Sequence, residues 1–207
     1  MLFRSAESTG KTTLAEALVH TLRGDGRSPA LVTEYLREFC DQQQRTPRQD
    51  EQTGIADVQT LRIADAARSA DVVVADTTAL MIAVYSHKVF GDTGLYASAL
   101  DAHRACDLTL VAALDLPWQA DGLQRDGPQV REPVDAMLRA ALARAGIGSS
   151  VVSGCGPARL TAALQAVRHA LALPPAEEES AANPRWQWVC ERCGDVDCER
   201  HLLPRPG

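Results

Sequence analysis

Ser5-Ala6-Glu7-Ser8-Thr9-Gly10-Lys11-Thr12-Thr13 is the stretch on which the fold turns. It follows the phosphate-loop pattern GxxxxGK[ST] at every defined position except the first, where Ser5 stands in place of glycine. In such a loop consecutive backbone N–H groups face inward on phosphate oxygens, helped by the positive end of the following helix. Gly10 lets the chain approach the phosphates, Lys11 reaches the β and γ oxygens, and the Thr12 hydroxyl is a ligand for Mg²⁺. Glu7, Ser8, Thr9, Gly10, Lys11, Thr12 and Thr13 are therefore the expected ATP-binding residues. Only two of the chain's 21 basic residues are lysines, Lys11 and Lys88, so the match does not ride on a lysine-rich composition.

Upstream, Met1-Leu2-Phe3-Arg4 is shorter than the usual strand of about five or six residues. Either the first strand is unusually short or the true start lies further upstream. Ser5 lacks glycine's freedom at positive φ, so strain at the loop's entry and a loss of nucleotide affinity are expected.

Downstream, Leu14, Ala17, Leu18, Thr21 and Leu22 recur at helical spacing until Gly24-Asp25-Gly26. Pro29-Ala30-Leu31-Val32-Thr33 reads as the second strand, with Glu34 at its carboxyl edge. Residues 35–49 are polar and predict a short helix with a mobile loop. Asp50 is a cap for the next helix, which runs through Ile55, Val58, Leu61 and Ile63 towards Ser69. Asp71-Val72-Val73-Val74-Ala75-Asp76 is the clearest strand, because a continuous apolar run suits a parallel strand covered on both faces. Helices are expected near 78–88 and up to about Ala105, a strand at 107–113, a helix at 132–145, a strand at 150–152 and a helix at 157–171. That alternation predicts an α/β domain, a parallel sheet of about five strands flanked by helices, and the phosphate loop at its head makes it a P-loop NTPase arrangement. The expected division is 1–171 for this domain, 172–185 for a Pro- and Glu-rich linker and 186–207 for a short Cys-rich tail.

The totals fit one ordinary domain with an appendage: 207 residues, 45% of them hydrophobic. A net charge of −6 argues against nonspecific binding to nucleic acid or to an anionic membrane. No apolar run approaches the roughly 20 residues of a membrane span. The chain enters the phosphate loop almost at once, so no signal peptide is expected and the expected location is the cytoplasm, with the six cysteines reduced. Cys40, Cys106 and Cys155 read as small core residues.

In an open parallel sheet, ligands bind at the carboxyl ends of the strands. The phosphate loop, Glu34, Asp76 and Asp115 fall at those ends in order. Asp76, closing an apolar run, takes the position of a carboxylate that orients Mg²⁺ beside Thr12. Glu34 is either a base within reach of an acceptor hydroxyl or a solvated cap of the helix carrying Arg37 and Glu38. The segment from Asp121 to Glu132 has the composition of a lid, and an arginine on a closing loop supplies charge to a phosphoryl transition state. Arg125 and Arg131 are the candidates, completing an expected catalytic set with Lys11, Glu34 and Asp76.

Ala6-Glu7-Ser8-Thr9-Gly10-Lys11-Thr12-Thr13-Leu14, Glu34-Tyr35-Leu36-Arg37-Glu38, Asp76-Thr77-Thr78, Pro117-Trp118 and Asp121-Gly122-Leu123-Gln124-Arg125 occur in that order. Over residues 2 to about 171 the chain resembles the ribosylnicotinamide kinase domain of NadR-type proteins, a branch of P-loop kinases often described as AAA-like ATPases. The resemblance implies transfer of phosphate from ATP, with Mg²⁺, to the ribose 5′-hydroxyl of nicotinamide riboside, giving nicotinamide mononucleotide. It also implies that Lys11 and Thr12 meet the triphosphate and Mg²⁺, that Asp76 serves the metal or the acceptor hydroxyl, and that Arg125 belongs to a lid. Glu34, Tyr35 and Arg37 line the nucleoside side by the same resemblance. Two other readings stand beside it: a kinase for another nucleoside or small metabolite, and a nucleotide-binding regulatory switch without turnover.

Cys190, Cys193, Cys198 and His201 have the spacing C-x₂-C-x₄-C-x₂-H, just after Trp186 and Trp188. Three cysteines and one histidine make a tetrahedral zinc set, and a tail of about 20 residues has no core of its own to hold it folded. A structural Zn²⁺ is the expectation here, with a redox C-x-x-C and an unstructured tail as alternatives. The tryptophans suit docking onto the kinase core, another protein or a second copy.

Overall fold

The computed structural model describes residues 2–4, 10–117 and 128–172. The expected ligands Glu7, Ser8 and Thr9, the expected lid residue Arg125 and the whole Cys-rich tail lie outside these residues. Strands β1 (Leu2–Arg4), β2 (Pro29–Val32), β3 (Val72–Ala75), β4 (Thr109–Ala112) and β5 (Ser150–Val152) form a five-stranded sheet in the order β2-β3-β1-β4-β5. Every neighbouring pair is parallel, with Phe3 opposite Leu110 and Val32 opposite Ala75. Proline is tolerated at the first residue of an edge strand, and Pro29 opens β2 at the edge. The short first strand expected from the sequence is three residues long, and it lies at the centre of the sheet.

Helices α1 (Lys11–Gly24), α2 (Tyr35–Gln43), α3 (Gln52–Ala66), α4 (Ala79–Phe90), α5 (Tyr96–His103), α6 (Arg131–Arg144) and α7 (Gly156–Ala172) connect and cover the strands. Side chains alternate along each strand, so the two faces bury different partners. Val72, Val74 and Leu110 pack with Leu14, Leu18 and Leu22 of α1 and with Ala163 and Val167 of α7. On the other face Val111 joins a cluster built from α3, α4, α5 and α6. Within it α4 is buried nearly all round, with Leu80, Ala83 and Val84 at 0% exposure. Its run Ala79-Leu80-Met81-Ile82-Ala83-Val84 has no polar side to offer solvent, and each large side chain so buried contributes roughly 1.5–3 kcal/mol.

Helix α3 forms where it is expected; its buried stripe is Gln52, Ile55, Ala56 and Gln59, at steps of three and four, while Leu61 on the opposite side is 57% exposed. Two expectations are corrected. Asp50 does not cap α3, because it lies inside a 3₁₀ turn, Gln49–Glu51, and pairs with Arg48 at 3.1 Å. Cys155 is exposed rather than in the core, because it sits in the turn between β5 and α7, where Gly154 and Gly156 both have positive φ.

The stretch between α2 and α3, expected to be mobile, is held by one carboxylate. Glu51 accepts Arg45 Nη1 at 2.7 Å, Arg45 Nη2 at 2.6 Å and the Arg48 backbone N–H at 2.8 Å. Arg45 also stacks over the Phe39 ring, 5.6 Å from its centre. The Arg45 hydrogen bonds, then that from Arg48, pull the Glu51 pKa from 4.5 down to about 2. A depressed carboxylate pKa stabilises the folded form above the unfolded value, and that contribution is lost as pH falls through the folded one. Side-chain NMR should therefore show Glu51 titrating near pH 2, and Arg45→Gln should move that midpoint up towards 4.5. A midpoint near 4.5 in the parent would mean that the Arg45 fork does not persist in solution.

Candidate functional site

The site forms where the strands end. Gly10, with φ of 70°, caps α1 and accepts the Leu14 N–H at 3.0 Å, which starts the helix at Lys11. A side chain is strained at that φ, and a Cβ there would also stand 3.2 Å from Leu116 Cδ1, which would have to shift. Within the first turn, the Thr12 hydroxyl donates to Asp76 Oδ2 at 2.5 Å, joining residues 64 positions apart. Thr13, by contrast, is exposed.

Asp76 follows β3 and is 3% exposed, fixed by its own N–H donating to Val32 O at 2.9 Å. Its other oxygen, Oδ1, is buried and has no hydrogen-bond partner among the described residues, and neither has Thr78 Oγ1 close by in the chain. An unsatisfied buried oxygen costs about 1–3 kcal/mol, so such atoms call for an explanation. A carboxylate and a hydroxyl oxygen already side by side, with an unspent carboxylate oxygen next to them, fit a hard cation such as Mg²⁺. Among the described residues no group of three or more His, Cys, Asp or Glu is arranged for a metal, and the proposed zinc ligands lie outside them.

Glu34 lies just after β2, at the N-terminal end of α2, and its side chain makes no cap hydrogen bond there. That removes the capping role as its explanation. Its carboxylate lies 3.9 Å from Arg37 Nε. Tyr35 carries the Arg62 guanidinium over one ring face at 4.6 Å, leaving at most one face for a ligand ring. Arg62 in turn donates to Glu38 at 2.7 Å, and that bond, joined by one from Thr33, holds the Glu38 pKa below its ordinary value.

Arg131 is the first residue of α6, a helix end rather than a moving loop, and is 8% exposed. Its Nη1 donates to Leu116 O at 2.9 Å, while Nε and Nη2 are buried with no partner among the described residues. The side chain of Leu116 abuts Gly10, so Arg131 is tied to a residue that packs at the head of α1. Asp115 turns out to be structural. Its Oδ1 accepts Arg159 Nη1 at 2.7 Å and its Oδ2 accepts the Gly154 N–H at 2.6 Å. Burial works to raise its pKa, but these bonds outweigh that and hold it below the ordinary value.

The structure thus brings Thr12 and Asp76 together, with Lys11 next to Thr12 at the head of α1, and ties Arg131 to Leu116. Gln59 ties the Glu34 backbone to the same edge. Gln59 and Arg159 were missed in the sequence. Gln59 carried one signal, a polar residue in register with Ile55 and Ala56 on a helix face; Arg159 carried none.

The family model described as an AAA domain matches residues 4–159. The chain belongs to this AAA-domain family. The matched span contains the phosphate-loop sequence, Glu34, Asp76, Asp115 and Arg131. Among solved structures, NadR in complex with NR aligns with a TM-score of 0.68 at 20% identity, covering 84% of this chain and 50% of that one. NadR in complex with NAD and AMP-PNP aligns with a TM-score of 0.65 at 19% identity, covering 84% and 49%. At that identity the likeness is one of fold, and this chain spans about half the length of those NadR chains. No curated protein matches. No helix among the described residues is long and apolar enough to cross a membrane.

Proposed function

We propose that this AAA domain is a small-molecule kinase that passes the terminal phosphoryl group of ATP to the hydroxyl of a nucleoside, with nicotinamide riboside as the leading acceptor. The observation that carries the reading is the Thr12–Asp76 hydrogen bond beside the unspent Asp76 Oδ1. Thr12 and Asp76 would hold Mg²⁺, which when bound neutralises charge on the phosphates. Lys11 neutralises the β and γ oxygens from the head of α1. Glu34 accepts the proton of the attacking hydroxyl, a role that its partly buried position beside β3 allows and that no capping bond competes for. Arg131, with two donor groups unspent, supports the charge of the moving phosphoryl, and Arg125 is proposed to share that task. The choice of nicotinamide riboside leans on the fold likeness to NadR bound to NR and on the order of the sequence motifs.

The test is ATP consumption with Mg²⁺, with and without nicotinamide riboside, reading nicotinamide mononucleotide by mass. Product at a rate well above that without the nucleoside is the expected result. Tight ATP binding with no product from this nucleoside, but product from another, moves the acceptor and keeps the kinase. Binding with no product from any nucleoside supports the regulatory switch instead.

A further inference from the structure

Gln59 is fully buried in α3, at 0% exposure, on the face it shares with Gln52, Ile55 and Ala56. An apolar residue would fill the same space. Its amide is spent on backbone groups at the ends of two strands. Oε1 accepts the Tyr35 N–H at 2.8 Å, and Nε2 donates to Thr33 O and to Thr77 O, each at 3.2 Å. One acceptor facing an N–H and two donors facing carbonyls fix which way the amide points.

The identity of those backbone groups gives the arrangement its meaning. The Thr33 carbonyl and the Tyr35 N–H belong to the two peptide units on either side of Glu34. The Thr77 carbonyl belongs to the residue after Asp76. One rigid side chain therefore clamps both peptides of Glu34 and ties them to the segment that carries Asp76, at a height where the β2–β3 ladder has ended. We propose that Gln59 is a positioning residue that sets the Glu34 carboxylate relative to Asp76. The consequence for turnover rests on the kinase reading; the positioning itself does not. A general base displaced by about 1 Å loses on the order of 10²-fold in rate, so a clamp of this kind has a kinetic effect out of proportion to its distance from the reacting atoms.

Gln59→Met keeps length and packing and removes all three hydrogen bonds. Its expected effects are a kcat lower by about 30- to 100-fold, with the Kd for ATP measured without acceptor within about threefold of the parent. Amide hydrogen exchange at Tyr35 should quicken by about tenfold or more while amides of α1 keep their protection. Gln59→Asn keeps the amide but shortens it by one methylene, so that it cannot reach all three backbone groups at once. It should fall between parent and Gln59→Met in both measurements, and it carries the test if Gln59→Met does not fold. A merely structural glutamine would lower the melting temperature and leave kcat per folded molecule unchanged; that result overturns the proposal. Unchanged Tyr35 exchange overturns it too. If the parent phosphorylates no nucleoside, the kinase reading fails, and Tyr35 exchange alone decides whether Gln59 holds this backbone.

Discussion

Asp76→Asn should lower kcat for phosphoryl transfer by about 10²–10³-fold, the scale seen when one charge-stabilising group is removed from a transition state. The substitution is close to isosteric, and the asparagine oxygen still accepts the Thr12 hydroxyl that Asp76 Oδ2 accepts at 2.5 Å. The backbone bond from residue 76 to Val32 O is untouched. Folding and the approach of α1 to β3 should therefore survive. What disappears is the negative charge, together with the second carboxylate oxygen, buried and unpartnered among the described residues. If that oxygen serves Mg²⁺, the loss shows in the Mg²⁺ dependence: saturation needs more metal, while ATP affinity measured without metal stays near that of the parent. A variant with parental kcat and parental Mg²⁺ dependence would remove Asp76 from the site, and the kinase reading would lose the observation that carries it.

How much of this was legible beforehand depends on whether the signal was local. The helix start at Gly10-Lys11, the valine run of β3 and Asp76 at its end are contiguous patterns whose physics acts over a few residues, and the structure places them as the sequence does. The β5 bounds and the short β1 were legible for the same reason. Helix α3 was legible but its inner face was not, because hydrophobicity does not track burial there: Leu61 is exposed, while Gln52 and Gln59 are buried. Strand order brings Thr33, Tyr35 and Thr77 within reach of Gln59, and no single-sequence pattern encodes that meeting. Arg131 was legible as a cation near the site but not as a helix residue, because residues 119–131 show no period that marks where α6 begins. Asp115 was read as a ligand-edge carboxylate on position alone. Its partner, Arg159, lies 44 residues on in a helix whose sequence gives no reason to expect it.

Arg159→Met should destabilise the domain by about 3 kcal/mol, at the lower end of the range for breaking a buried ion pair. Arg159 is 4% exposed and donates to Asp115 Oδ1 at 2.7 Å, Gly154 O at 2.7 Å and Ala113 O at 3.1 Å. Its loss frees three acceptors and loosens the tie between the end of β4 and the turn before α7. The cost stays at the lower end because the Asp115 side chain is 36% exposed and water can take over its carboxylate. Asp115→Ala should cost more, up to about 5 kcal/mol, since it strands the better-buried partner. For a domain of this size each kcal/mol shifts the melting temperature by about 2–4 °C, which makes the two losses measurable and separable. Asp115→Leu with Arg159→Met should recover much of the loss, because exchanging both charges for apolar groups avoids the unpaired state. The Asp115 pKa is depressed, so the pair stabilises fully above its ordinary value of 3.8 and the gap between parent and Arg159→Met should close as pH falls below it. Equal losses in the two single variants, or a gap that persists in acid, would mean that Arg159 acts through packing and its two carbonyl bonds rather than through the charge of Asp115.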